Sequence, residues 1–342
     1  RARTLCYWCF SPGVAMEDLK ALGVRSIIVT SGTLTPLGSF ANELRLPFQV
    51  QLENEHVIKA EQAWVGVCAA GPTDKLLRST YEHRDTPQYR AELGAVVVRV
   101  CRAVPGGVLV FFPTYSVMEG CLGEWRGGGS KGSVWSAVMQ HKDVFCEPRG
   151  AAQLNRVMEE YNAAIARAGG AVFFAVLRGK LSEGMDFSDH SARCVVVTGI
   201  PYAPLHDKQV KLKRQYMDEV PVPAGVPRLS GQDWYQQQAA RAVNQSIGRV
   251  IRHRHDYGAV ILCDQRFAEE KNKGFISRWA RPLVKTFGRF DDLDRGLDGF
   301  FRECQRNTEL RQSGGTGTSA GNASQGSRGC ARPQEGRRAG HQ

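Results

Sequence analysis

Residues 171–177, Ala-Val-Phe-Phe-Ala-Val-Leu, form a continuous apolar run that decides the fold of this chain. A short run without polar alternation is typical of a parallel strand that is buried on both faces of its sheet. Similar runs recur at 26–30, 64–68, 108–112, 143–146, 194–199, 259–263 and 284–287. Stretches with helical character separate most of them, at 75–81, 87–102, 151–168, 206–219 and 232–252. This alternation predicts an α/β fold with a mostly parallel sheet flanked by helices.

The apolar run leads directly into a polar loop that spans residues 178–187. Ligands of open α/β sheets bind beyond the carboxyl ends of the strands, so we expect chemistry in this loop. Its glycines permit close approach of a ligand, and its charged and hydroxyl side chains can contact a phosphate, an arginine or metal-bound water. The residues concerned are Gly179, Lys180, Ser182, Glu183, Gly184 and Asp186.

A second informative stretch is residues 245–252, Gln-Ser-Ile-Gly-Arg-Val-Ile-Arg. In a helix, at about 100° per residue, Gln245, Gly248, Arg249 and Arg252 share one face. A glycine costs about 1 kcal/mol relative to alanine inside a helix, so its presence favours close approach of a phosphate or a second domain. Two guanidinium groups beside it can stabilise charge on a transferring phosphoryl group. The alternative is a solvated basic face on an ordinary amphipathic helix.

Together the two stretches resemble motifs V and VI of superfamily 2 helicases, in the iron–sulfur branch typified by the xeroderma pigmentosum group D helicase. Residues 27–36 resemble motif III of this family and residues 108–115 resemble motif IV, so four motifs occur in the family's order. The resemblance covers roughly residues 3–305. It implies that residues 1–38 complete a first motor domain and that residues 39–305 form the second, RecA-like motor domain.

Two motifs that ATP hydrolysis requires are missing from the sequence. There is neither a phosphate-binding Gly-x-x-x-x-Gly-Lys-Ser/Thr loop nor an Asp-Glu-Ala-His box. A phosphate cradle and a magnesium-binding carboxylate are both needed to bind and hydrolyse ATP. In the family both lie on the first motor domain, so we expect this chain to be the C-terminal half of a longer helicase and to be inactive alone. The other half would bind most of the ATP and Mg²⁺ and would carry the 4Fe–4S cluster.

The resemblance also implies roles for individual residues. Arg249 and Arg252 would act as arginine fingers on the γ-phosphate of ATP. Contacts to the nucleotide, or a relay of its state, are implied for Gln245, Gly248, Gly184 and Asp186. Contacts to single-stranded DNA are implied for Thr33, Thr114, Tyr115, Lys180, Ser182 and Tyr202. From the residues alone, the rings of the two tyrosines could stack on a base, worth about 1–3 kcal/mol, or could equally cap the core.

Charge and cysteine content leave several alternatives open. The net charge of +11 favours a polyanionic partner, which could be nucleic acid or an acidic protein. Lys208, Lys211, Lys213 and Arg214 form a basic run that could face solvent or contact the DNA backbone. Cysteines within apolar runs are expected to be reduced core residues, namely Cys68, Cys101, Cys146, Cys194 and Cys263.

Other polar groups favour structural interpretations. Cys6 and Cys9 form a Cys-x-x-Cys, but no second pair follows at metal-site spacing. His253 and His255 are expected to lie at the surface without binding metal. An ion pair between Asp264 and Arg266 is expected to hold the motif VI helix. Residues 127–133 are expected to form a flexible surface insertion, and residues 306–342 a disordered tail rich in Gly, Ser and Arg.

The function implied by the resemblance is ATP-dependent 5′ to 3′ translocation on DNA, in a nuclear helicase that acts in telomere maintenance, DNA repair and recombination. Its partners would be single-stranded and forked DNA and the missing N-terminal motor domain. Two other functions compete with this one. The chain could be a non-catalytic nucleic-acid-binding module. It could also be a metabolic enzyme with a Rossmann-type site, but the sequence lacks Gly-x-Gly-x-x-Gly after a first strand.

Overall fold

The computed structural model describes residues 3–31, 34–53, 57–127, 132–167, 169–185, 187 and 189–314. The strands are β1 (Ala63–Val67), β2 (Val108–Phe112), β3 (Asp143–Cys146), β4 (Ala171–Val176), β5 (Cys194–Val197), β6 (Gly258–Leu262) and β7 (Val284–Thr286). The helices are α1 (Gly13–Ala21), α2 (Leu37–Leu44), α3 (Pro87–Ala103), α4 (Tyr115–Arg126), α5 (Val134–Met139), α6 (Ala151–Ile165), α7 (Lys180–Gly184), α8 (Lys208–Glu219), α9 (Gly231–Ile247), α10 (Glu270–Lys273) and α11 (Phe290–Gly314).

The seven strands of the described residues form one sheet in the order β3-β4-β2-β5-β6-β1-β7, and all neighbours run parallel. This confirms the predicted α/β class. β2 and β4 are buried at every position, which explains why their sequences are apolar throughout instead of alternating. Because the strands are parallel, their carboxyl ends share one edge of the sheet, called here the C-terminal edge. Their amino ends share the opposite, N-terminal edge.

The hydrophobic core lies in two layers, one on each face of the sheet. Successive residues of a strand point to opposite faces, so Val110 and Phe112 of β2 join one layer while Leu109 and Phe111 join the other. Helices α3, α4 and α11 cover the first layer, and α6 and α9 cover the second. Burying each large apolar side chain contributes about 1.5–3 kcal/mol, so this double layer fixes the sheet on which the motif loops stand.

Two predictions of secondary structure are wrong. Residues 26–30 form no strand and pair with no strand of the described chain, and Ile28 is 88% exposed. Residues 75–81 are irregular instead of helical, because their backbone bonds to neighbouring loops and not to itself. The Leu77 N–H donates to the Ala69 carbonyl, and the Ser79 N–H donates to the Asp264 carboxylate. A strong apolar or helical pattern therefore does not suffice where other loops supply the hydrogen-bond partners.

The chain divides into two compact units, Arg1–Cys304 and Gln305–Gln342. Helix α11 continues past the domain boundary predicted at residue 305, as far as Gly314, so the predicted tail begins with helical residues. The rest of that tail lies outside the described residues, as do residues 128–131 of the predicted insertion. The boundary between motor domains at residue 38 stays a prediction.

The cysteines of the core are free thiols, as predicted. Cys68, Cys101, Cys194 and Cys263 are buried, whereas Cys146 is half-buried. Cys6 and Cys9 are exposed free thiols. Among the described residues, no helix combines the length and the apolar content that crossing a membrane requires.

Candidate functional site

The segment after α9 carries both candidate catalytic arginines. Helix α9 ends at Ile247, and Gly248 is its C-cap with a φ of −64°. The prediction that one helix continues to residue 252 is therefore wrong, and Arg249 and Arg252 do not share a helical face. After Ile247 the backbone bonds tighten to an i→i−3 pattern, since the Arg249 N–H donates to the Ser246 carbonyl and the Val250 N–H to the Ile247 carbonyl. The Arg252 N–H donates to the Asp256 carboxylate at 3.0 Å.

Both arginines nevertheless converge on the loop after β4. The Arg249 guanidinium donates to the Ser182 carbonyl and to the Met185 carbonyl, each at 2.5 Å. Arg252 donates to the same Met185 carbonyl at 3.3 Å. Arg249 is half-buried and Arg252 is exposed. Motifs V and VI are thus in contact through side chains that reach from a turn, not through a helix face.

A buried ion pair anchors the turn that holds Arg252. Arg193 and Asp256 pair at 2.6 Å, with side chains 5% and 1% exposed. The Arg193 guanidinium also lies 3.9 Å from the centre of the Tyr257 ring and donates to the Tyr257 carbonyl. The second Asp256 oxygen accepts the Arg252 N–H. Breaking such a buried pair typically costs 3–5 kcal/mol, so Arg193 holds the arginine segment firmly against the sheet.

The predicted contact residues in the loop after β4 differ in their exposure to solvent. Ser182 is fully buried, and its hydroxyl donates to the Gly179 carbonyl at 2.8 Å. The prediction of a DNA contact through this hydroxyl is therefore corrected, because the group folds the loop instead of facing solvent. Lys180 is exposed, and its ammonium lies 3.4 Å from the Arg149 carbonyl. Gly184 is the last residue of α7, and Asp186 lies outside the described residues.

The residues after β2 begin helix α4. Thr114 is its N-cap, and its hydroxyl accepts the Val117 N–H at 3.3 Å. Tyr115 is half-buried and packs against the core, and the Arg149 guanidinium lies 5.3 Å from its ring centre. Burial raises the pKa of the Tyr115 phenol, and the charge of Glu147 and a hydrogen bond to it raise that pKa further. Both interpretations of Tyr115 keep support, since it borders the core while remaining at the C-terminal edge.

Tyr202, after β5, stacks on Tyr235 of α9 with ring centres 5.3 Å apart. Burial raises its pKa. It borders a cavity of about 350 Å³ whose lining includes the cations Arg78, Arg266 and Lys271. A stacked aromatic pair beside cations suits a nucleic-acid surface.

The ion pair between Asp264 and Arg266 is present at 2.6 Å, but it does not hold the motif VI helix. Arg266 donates to the Ser79 carbonyl, and the Asp264 carboxylate accepts the Ser79 N–H. The pair therefore fixes the irregular segment after β1. The predicted ion pair is therefore confirmed, but the segment that it holds was predicted wrongly.

The predicted basic run on α8 divides into two parts. Lys208 and Lys211 are exposed, whereas Lys213 is buried and donates to the Phe10 carbonyl. Burial lowers the pKa of Lys213, whose ammonium also lies 5.6 Å from the Trp234 ring centre. Arg214 donates to the Gln232 side chain at 2.9 Å. Only the first two residues of this run therefore remain candidates for the DNA backbone.

Of the remaining predicted residues, Gln245 is half-buried in the last turn of α9, and Thr33 lies outside the described residues. A possible metal cluster among the described residues combines Asp189, His253 and Asp256. His253 pairs with Asp189 at 2.9 Å, but the Asp256 carboxylate is already committed to Arg193. This cluster gives no reason to assign a metal.

Two charged residues that organise the site, Arg193 and Glu147, were not predicted from the sequence. Arg193 meets Asp256 because β5 and β6 are neighbours in the sheet, with Cys194 opposite Ala259. Glu147 follows β3 and reaches the loop after β4. Each contact depends on strand order, which the sequence did not predict. The only feature of the sequence that could have indicated these two residues is that each is a charged residue next to a predicted strand.

A parallel sheet with motif loops on one edge, and two arginines reaching from motif VI to motif V, defines a helicase motor domain. Residues 97–283 match the family described as the helicase C-terminal domain. The chain belongs to this family, which confirms the resemblance drawn from its motifs.

The chain is similar to proteins named regulator of telomere elongation helicase 1. It is 48% identical to the rice homolog over 88% of this chain and 31% of that protein. It is 47% identical to the Bos taurus protein over 89% of this chain and 25% of that protein. The human protein is also 47% identical, over 90% and 25%. The chain thus spans about a quarter to a third of the length of these relatives.

A solved structure named XPD helicase matches with a TM-score of 0.55 and 20% identity, over 80% of this chain and 44% of that one. This likeness shows the fold.

Proposed function

We propose that this chain supplies the second motor domain of an ATP-dependent DNA helicase that moves 5′ to 3′ and acts in the nucleus in telomere maintenance and DNA repair. The observation that carries the proposal is the convergence of Arg249 and Arg252 on the carbonyls of Ser182 and Met185. That contact joins the candidate fingers to the loop at the C-terminal edge. The similarity to telomere elongation helicases supports the choice of DNA as the track.

The two arginines would have different roles. Arg252 is exposed beside motif V, where it donates to the Met185 carbonyl, so its guanidinium is accessible to a γ-phosphate presented by another domain. Arg249 holds two motif V carbonyls and would transmit the nucleotide state to that loop. Gln245 and Gly248 would border the nucleotide beside them, and Gly184 and Asp186 would continue the relay.

Most of the ATP site would belong to the first motor domain. ATP and Mg²⁺ would be bound mainly there, and the 4Fe–4S cluster of the family would also lie in that half. Candidates for the DNA track on this chain are Thr33, Thr114, Tyr115, Lys180 and Tyr202. Fingers that reach the phosphate only when two domains close would make hydrolysis and domain motion depend on each other.

The direct test is Arg252→Ala in a full-length helicase that contains this chain. We expect the ATPase rate to fall by about 10³-fold, the scale of an arginine finger, while ATP affinity changes much less. Arg252→Lys should restore little activity, because a point charge cannot reproduce the planar fork. Wild-type turnover by Arg252→Ala would reject the finger assignment. The circular dichroism melting curve of each variant controls for misfolding.

The second candidate function is non-catalytic nucleic-acid binding, which the net charge of +11 favours. The two functions make different predictions for the isolated chain. Under the main proposal it binds single-stranded DNA weakly, with affinity that falls steeply between about 50 and 200 mM salt, and it shows no DNA-stimulated ATPase. Retention of that binding by a full-length protein without any ATPase activity would favour the binding module instead.

A further inference from the structure

Glu147 is a buried carboxylate at the C-terminal edge, directly after β3, and it is 3% exposed. One oxygen accepts the Val176 N–H at 2.9 Å, and the other accepts the Leu181 N–H at 3.3 Å. Within the part of the chain that the structure describes, it forms no ion pair. A buried charge must be hydrogen-bonded or paired to be tolerated. Backbone donors of the motif V region therefore stabilise this one, and it fixes their positions in return.

The segment that carries Glu147 also contacts the loop after β2. Arg149, two residues after Glu147, places its guanidinium 5.3 Å from the centre of the Tyr115 ring. Burial and, after it, the charge of Glu147 raise the pKa of the Tyr115 phenol. Because the sheet order is β3-β4-β2, Glu147 connects the carboxyl ends of three adjacent strands. One of these ends carries the candidate DNA contact Tyr115, and another carries motif V.

Gly179 shows how closely the carboxylate approaches the loop. A Cβ atom at this position would lie 2.6 and 2.7 Å from the two Glu147 oxygens. A Cβ atom would also lie 2.8 Å from the Val176 carbonyl oxygen, so a side chain at this position would displace the glutamate or the backbone. We expected this glycine to permit close approach of a ligand. The structure gives it a different neighbour, and its φ of −80° is ordinary.

A continuous set of contacts then leads from Tyr115 to the arginines. Leu181 donates to Glu147, and the next residue, Ser182, accepts the Arg249 guanidinium through its carbonyl. We propose that Glu147 is a positioning residue that couples the DNA-facing Tyr115 to the nucleotide-sensing arginines through the motif V loop. This inference rests on the proposed function. A chain of contacts alone does not demonstrate coupling, so the test must measure the coupling itself.

The first variant is Glu147→Gln, assayed in a full-length helicase that contains this chain. Glutamine keeps the shape, but its amide N–H group must face one of two backbone N–H donors. The measurement is the affinity for a fluorescent oligothymidine with and without a non-hydrolysable ATP analogue. We expect the ratio of the two affinities to move toward one by at least about fivefold, the lower range of allosteric coupling.

The matched control is Glu119→Gln, the same substitution on α4. Glu119 is exposed and pairs with Arg149 at 2.8 Å, so its loss alters charge at the same edge without contacting motif V. We expect its affinity ratio to stay within about twofold of wild type, as for a surface ion pair. Equal uncoupling by both variants would show a general charge effect and overturn the inference.

Two further variants test the geometry. Gly179→Ala retains the carboxylate but displaces it, so it should uncouple as Glu147→Gln does. Tyr115→Phe removes the phenol hydroxyl, and its effect should not add to that of Glu147→Gln if both act through one contact. Full additivity of these two effects would contradict the proposed route.

Hydrogen exchange in the 342-residue chain gives an independent measurement. Glu147→Gln should speed exchange at the Val176 and Leu181 amides, and unchanged exchange would overturn the inference whatever the helicase assays show. A wild-type enzyme with no ATPase activity would instead reject the proposed function. Lower melting temperature with an unchanged affinity ratio would make Glu147 purely structural and would also refute the coupling role.

Discussion

Strand β3 has a buried charged side chain at each end. One donates hydrogen bonds to backbone carbonyls, and the other accepts them from backbone N–H groups. Lys142 precedes the strand at the N-terminal edge and is 4% exposed. Its ammonium donates to the carbonyls of Val104, Gly106 and Gly169, at 2.7 to 2.8 Å. Glu147 follows the strand and accepts backbone N–H groups at the C-terminal edge. Each side chain ties together loops of neighbouring strands, but the loops differ in what they carry.

The loops held by Lys142 contain no predicted site residue, and they pack tightly. Gly170 has a φ of +69°, and a Cβ there would lie 2.3 Å from the Gly106 carbonyl oxygen. The loops held by Glu147 contain Tyr115 and motif V. The buried Lys142 therefore stabilises the fold at the N-terminal edge. In our proposal the buried Glu147 couples DNA binding to nucleotide binding at the C-terminal edge. Substitutions at the two edges should separate these effects.

The largest expected effect lies at the C-terminal edge. Arg249→Ala removes two hydrogen bonds to motif V carbonyls, so it should slow the ATPase of the full-length enzyme by about 10²–10³-fold. Unlike Arg252→Ala, it should also destabilise the isolated chain, by roughly 2 kcal/mol, because the two carbonyls lose a charged donor. Steady-state ATPase rates and urea unfolding of both variants check this. Equal stability of the two variants would contradict the proposal that Arg249 holds the motif V loop while Arg252 acts only on the nucleotide.

The next effect concerns the N-terminal edge. Lys142→Met keeps the apolar stem but leaves three carbonyls without their donor, so the free energy of unfolding should fall by about 3 kcal/mol. The ratio of DNA affinities with and without nucleotide should stay at the wild-type value, since no motif loop is touched. Chemical unfolding and the oligothymidine assay measure the two quantities. A changed affinity ratio in Lys142→Met would show that any destabilisation of the sheet alters the coupling between DNA and nucleotide binding. The proposed difference between the two edges would then be wrong.

The sequence predicted the parallel sheet well because its central strands are buried on both faces and therefore apolar without interruption, as in residues 171–176. It failed where the deciding partner is distant in the chain. The Arg252 N–H donates to Asp256 after α9 has ended, and the Leu181 N–H donates to Glu147. Neither contact follows from local periodicity. The motifs identified the arginines, but strand order was needed to find Glu147 and Arg193.

The smallest expected effect is a pH dependence at the N-terminal edge. Burial lowers the pKa of Lys142 to about 8, whereas an unfolded lysine titrates near 10.4. Between these values the unfolded chain binds a proton that the folded chain does not, so the lysine makes the fold more stable as the pH rises. Below about pH 8 both states are protonated, and the cost of burying the charge is fully present.

This contribution is best measured as a difference between wild type and Lys142→Met. The nearby thiols Cys101 and Cys194 have pKa values raised by burial, so they act in the opposite direction above about pH 8.5. Their effects largely cancel in the comparison. We expect the difference in free energy of unfolding to grow by about 1.5 kcal/mol from pH 8 to 9.5, because the full slope of 1.36 kcal/mol per unit is reached only once the folded chain has lost the proton.

The three hydrogen bonds of Lys142 oppose the loss of its proton. An ammonium has three N–H donors for its three carbonyls, and a neutral amine has only two, so loss of the proton leaves one carbonyl unbonded. A difference that stays flat up to pH 9.5 would mean that these hydrogen bonds outweigh desolvation and keep the lysine charged. In that case Lys142 would be a buried charge that the backbone of neighbouring loops holds in its ionised form.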